Sequence, residues 1–158
     1  MTVLTRTVTV NAAFLQEIKE DNQELWSFLK RLDACLVIAS PPRLTLADMV
    51  DVLADLRDRL GMHFALEEAF GYFEDAIEVA PRLSARAERL RCEHDRFYLE
   101  ICSIVDEAEQ VLHGELSQHL QRDVVDRFDE FHSALRKHET AENQLIQEAF
   151  HEDLGSCD

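Results

Sequence analysis

The sequence predicts an all-α protein: an up-down-up-down antiparallel four-helix bundle preceded by a short extended arm. Three observations lead there. Four long segments carry apolar residues at alternating steps of three and four, the spacing that puts a side-chain set on one face of a helix. Glycine and proline number 4 and 3 in 158 residues, too few for a turn-rich fold, and Pro41, Pro42 and Pro81 all fall between the segments. The connections are short, which makes neighbouring helices antiparallel.

Each element has its own signals. The first ten residues, MTVLTRTVTV, are rich in Thr and Val and predict the extended arm, packed on the bundle or on a partner. The first helix is expected over 12–39, with Leu15, Ile18, Leu25, Leu29, Leu32 and Leu36 as its stripe and Trp26 at the edge of the core. The run SPPRLT, from Ser40 to Thr45, ends it. Thr45 and Asp48 have the spacing of a capping box opening a second helix over 45–78. That helix carries Leu46, Met49, Leu53, Leu56, Leu60 and Phe70. Pro81 separates it from a third, over 82–112, with Leu83, Ala87, Leu90, Phe97, Ile101 and Ile104. Gly114 stands where the third should end, and a fourth over 117–151 carries Val124, Phe128, Phe131, Leu135, Leu145 and Ala149. The length suits a single domain, 1–158, with one core.

Composition narrows the function. A net charge of −16 argues against binding nucleic acid or an anionic membrane. No apolar run reaches the ~18 residues a membrane span needs. The N-terminus lacks a basic region followed by a long apolar run, so a cytoplasmic location is expected. Cys35, Cys92, Cys102 and Cys157 include no C-x-x-C pair and read as reduced thiols.

Polar residues interrupt every stripe. Asn22 stands between Ile18 and Leu25, His63 and Glu67 between Leu60 and Phe70, His94 between Leu90 and Phe97, and His138 and Glu142 between Leu135 and Leu145. All six keep the three-four rhythm and should face the core. An unpaired polar group there costs roughly 2–7 kcal/mol, and a carboxylate more. At a rise of 1.5 Å per residue, the six lie at matching distances from the connections and fall in one layer of an antiparallel bundle. Two H-x-x-x-E pairs and a further imidazole in one layer point to a carboxylate-bridged metal site, with a hydrogen-bonded polar core as the alternative. His113, His119, His132 and His151 lie off the stripes and are expected at the surface or in loops.

This pattern resembles the hemerythrin-like, or HHE cation-binding, domain family over about residues 14–150. The resemblance rests on HFALE (His63, Glu67), CEHDRF (His94) and HETAE (His138, Glu142). It implies a non-haem di-iron centre in which Glu67 and Glu142 bridge two irons. His63 then ligates one iron, and His94 with His138 the other. Two positions depart from the family. The first-helix histidine is replaced by Asn22, whose amide oxygen is a much poorer iron ligand. Tyr98 stands where oxygen-carrying hemerythrins have a second histidine on the third helix. Glu139, Glu68 and Asp21 are candidates to complete the depleted position. Asn22 and Tyr98 are candidates to ligate directly or to act behind the ligands.

The resemblance implies a protein that binds, senses or reacts with dioxygen, peroxide or nitric oxide, or that responds to iron. Two other functions remain open: a metal-depleted interaction or structural module, and a peroxidase- or catalase-like enzyme. Manganese and zinc are alternatives to iron.

Overall fold

The computed structural model describes the backbone of residues 12–39, 43–69, 72–114 and 121–155, and the side chains of 20–39, 43–69, 73–114 and 121–150. The described chain is helical almost throughout. Helix α1 (Ala12–Asp33) runs into one π-helical turn, Ala34–Ile38, which buries Leu36. Then come α2 (Leu46–Ala69), the short α3 (Tyr72–Val79), a 3-10 turn at Pro81–Leu83, α4 (Ser84–Leu112) and α5 (Gln121–Gly155). No described helix is long and apolar enough to cross a membrane.

The termini follow from local chemistry. Thr45 Oγ1 accepts a hydrogen bond from the Asp48 N–H at 3.2 Å, satisfying a donor that the first turn of α2 would otherwise leave unpaired. Pro81 opens the 3-10 turn leading into α4. Gly114 ends α4 with φ +73, a left-handed conformation that residues with a Cβ rarely adopt, and its N–H bonds the Val111 carbonyl at 3.2 Å.

The helices α1, α2, α4 and α5 form the bundle. Contacts between neighbours ascend on one helix as they descend on the next. Asp21 meets His63 and Phe28 meets Arg59 across α1 and α2. Tyr98 faces Gly61 and His94 meets Glu68 across α4 and α2. Arg86 with Glu148, Glu93 with His138 and Glu107 with Arg127 join α4 to α5. Each pairing is antiparallel.

The interior differs from the single core expected from the chain length. One large apolar cluster runs from Leu25–Leu36 through Met49–Phe64, Phe97–Val111 and Val124–Leu135. A smaller one joins Phe73, Ala76, Ala80, Leu83, Ala87, Leu90, Leu145 and Ala149. Between them lies a buried polar layer of His63, Glu67, His94, His138, Glu139 and Glu142. Full burial of each large aliphatic or aromatic side chain contributes about 1.5–3 kcal/mol, so the apolar clusters hold the layer closed.

Within the helix expected over 45–78, α2 and the shorter α3 lie on either side of residues 70–71, which are outside the described residues. The shorter piece packs Phe73 and Ala76 into the small cluster, on the far side of the polar layer from most of α2. His132 also departs from expectation. It is buried, stacked on Phe128 at 5.8 Å with its Nδ1 3.6 Å from Asp33 Oδ1. The buried face of α5 is wider than one residue per turn, and His132 lies one turn beyond Phe128 on it. His113 is exposed at the end of α4, as expected. The N-terminal arm, Phe70, His119 and Cys157 lie outside the described residues, as do the side chains of Leu15, Ile18 and His151.

Candidate metal centre

Three helices supply the polar layer. His63 and Glu67 lie one turn apart on α2, and His138 and Glu142 one turn apart on α5, so each pair presents both side chains inward. Glu139 enters beside His138, and α4 contributes His94. All six residues are buried to within 3% of complete.

The side chains converge in two groups, His63–Glu67–Glu139 and His94–His138–Glu142. In each, one candidate donor atom per residue lies within 4.8 Å of the others. His63 Nε2 is 2.9 Å from both Glu67 Oε1 and Glu139 Oε1. Glu142 Oε1 is 2.8 Å from both His94 Nε2 and His138 Nε2. Glu67 spans the groups, its Oε2 lying 3.3 Å from His94 Nε2.

Proximity here does not amount to satisfied hydrogen bonding. Both Glu67 oxygens, Glu142 Oε2 and His138 Nε2 are buried without a hydrogen-bond partner, although Glu67 and His138 have oppositely charged atoms within about 3 Å. Their lone pairs are not aligned on one another's protons. Unpaired buried carboxylate oxygens are costly, and a shared cation is the partner that would relieve them. The donor set, imidazole nitrogen with carboxylate oxygen, fits iron, manganese or zinc.

A family model for the hemerythrin HHE cation binding domain matches residues 13–150. The chain belongs to this family. No curated protein and no solved structure shows significant similarity to it. Family membership and the two buried groups agree on a cation-binding four-helix bundle.

Within that hemerythrin fold, each imidazole is also held from behind. His63 Nδ1 lies 2.7 Å from Asp21 Oδ2, His94 Nδ1 3.2 Å from Glu68 Oε1, and His138 Nδ1 2.7 Å from Glu93 Oε2. Donation of Nδ1–H to these carboxylates leaves each Nε2 facing the centre, an arrangement typical of metal-binding histidines. The pattern runs one way around the bundle: α1 backs the histidine of α2, α2 that of α4, and α4 that of α5.

Aromatic rings close the remaining space. Phe64 stacks on His94 with ring centroids 4.3 Å apart and lies 5.6 and 6.3 Å from His63 and His138. Phe73, from α3, lies 5.9 Å from His94, and Phe97 5.1 Å from His138.

Without a metal, protons supply the positive charge. Burial disfavours a charged His63, but its hydrogen bonds to Asp21 and Glu139 and the negative charge of the adjacent Glu67 outweigh it, and its pKa is pushed up to about 12. Burial likewise opposes charge on His138, yet Glu142 and Glu93 raise it to about 9. His94 is also raised, burial again being outweighed, chiefly by Glu142. Burial would lift Glu142, but His138 and His94 hold it below the usual carboxylate range. Glu67 is pushed up by burial, with the nearby Glu142 adding to it, and the adjacent His63 does not offset them.

Of the six residues singled out by their stripes, His63, Glu67, His94, His138 and Glu142 come together, and Asn22 is in neither group. Of the further candidates, Glu139 joins the group of His63. Glu68 turns outward to the back of His94 and is half-exposed. Tyr98 is exposed and lies against Gly61, outside both groups. Asn22 Oδ1 is buried and unpartnered, beside an Asp21 already bonded to His63. Sequence reasoning named Asp21 only as a substitute ligand and missed Glu93. Their one signal is position: each directly precedes a residue of the inward stripe.

Proposed function

We propose that the chain is a carboxylate-bridged, non-haem di-iron protein that binds, senses or reacts with dioxygen, peroxide or nitric oxide. His63, Glu67 and Glu139 would hold one iron, and His94, His138 and Glu142 the other. Glu67 reaches both groups, and Glu142, with one oxygen toward two imidazoles and the other unpartnered, is the second candidate bridge. The observation that carries the reading is the set of buried, unpartnered oxygens among three converging imidazoles. A purely structural core would favour apolar replacements over ions left without partners.

The bound irons would supply redox electrons and open coordination positions for a small oxidant. The protein's part is to shape and dry the space. Phe64, Phe73 and Phe97 restrict water around the imidazoles, and Asp21, Glu68 and Glu93 keep the Nδ1 protons on the outer side. Glu139 supplies the donor that Asn22 does not. One histidine in the first group favours sensing, detoxification or an iron response over reversible oxygen carriage.

Aerobic reconstitution with iron, followed by elemental analysis and absorption spectroscopy, tests this. Two irons per chain and an oxo-to-iron absorption band are expected, with spectral changes on adding peroxide or nitric oxide. Protein that stays metal-free after reconstitution would sink the reading and favour a structural module.

A further inference from the structure

The two groups offer different donors. His63–Glu67–Glu139 presents one nitrogen and two carboxylates, whereas His94–His138–Glu142 presents two nitrogens and one carboxylate. Glu67 extends toward both, so sharing it leaves the difference in place. The buried, unpartnered oxygen on the α1 side, Asn22 Oδ1, would add only another oxygen if it were recruited to the first group.

We propose that the two positions select different metals, the His94–His138–Glu142 position taking iron and the His63–Glu67–Glu139 position admitting manganese. The proposal rests on the dinuclear reading above. Imidazole nitrogen favours iron(II) over manganese(II), following the general rise in affinity along the first transition series. Carboxylate-rich sites suit manganese and discriminate less. The nitrogen-rich position therefore fills first and with iron. The oxygen-rich position fills second and follows the metal supply.

The test is anaerobic loading of metal-free protein with equal iron(II) and manganese(II). Anomalous diffraction on either side of the iron and manganese absorption edges then gives the occupancy of each position. An iron-to-manganese ratio several-fold higher beside His94 and His138 than beside His63 supports the proposal. Equal ratios, or the reverse order, overturn it while leaving a dinuclear centre intact. Metal at neither position, or at one only, overturns both this and the dinuclear reading. Glu139→His gives an independent check, because it equalises the nitrogen count and should bring the two ratios together. Persistence of the difference in a folded, fully loaded Glu139→His protein would show that donor type is not its cause.

Discussion

His63 Nδ1 lies 2.7 Å from Asp21 Oδ2, so the helix that brings no imidazole to the centre holds the imidazole of its neighbour. Asp21→Asn replaces an ionised acceptor with a neutral amide and weakens that hold. Metal affinity should fall about 10–100-fold, measured by competition with a chelator, while the helical circular dichroism stays unchanged. Unaltered affinity would mean that His63 is held by packing alone.

Glu139 is the carboxylate found only in the group of His63. Glu139→Gln removes its charge while keeping its shape. Elemental analysis should show a loss from two metals per chain toward one, with the remaining ion beside His94 and His138. Retention of two tightly bound ions would exclude Glu139 as a required ligand.

Protons and metal compete for the same nitrogens. In metal-free protein at pH 7, His63 and His138 are protonated, their pKa values standing near 12 and 9. Metal uptake must therefore release at least two protons per chain, with Glu67, raised to about 7, adding to them. Calorimetry in buffers of different ionisation enthalpy counts them. Apparent affinity should rise steeply with pH up to about 9, then less steeply toward 12. Stability of the metal-free fold goes the other way. Both folded values lie above the usual 6.5, so the stabilisation is complete below pH 6.5 and is lost as pH rises through 9 and then 12. The melting temperature of stripped protein should fall between pH 7 and 10.

Phe64 touches all three imidazoles. Phe64→Ala opens a cavity in the middle of the bundle and should cost about 3–5 kcal/mol in denaturant unfolding. It should also speed the bleaching of any absorption band by solvent-borne reductant. A loss below 1 kcal/mol would show that neighbouring side chains collapse into the space.

The stripes made five members of the polar layer legible because a buried charge at helical spacing has no inexpensive explanation. Glu139 was less legible, since it stands one residue off the stripe and enters only because the buried face of α5 is wide. The same width hid His132. Asp21, Glu68 and Glu93 are three of 32 acidic residues, and their register against a neighbouring helix decides which three matter.

The placement of the polar layer between two apolar clusters also bears on time. An ion seated there has an apolar plug on either side, and the plug built on Phe73, Ala76, Leu90 and Leu145 is the smaller. Release then waits for that plug to loosen, however weak the coordination bonds are. The rate at which a strong chelator strips the protein should level off with chelator concentration, at a ceiling set by the opening of α3 and the adjoining ends of α4 and α5. A bundle of this kind can keep hold of its metal kinetically in surroundings where equilibrium alone would surrender it.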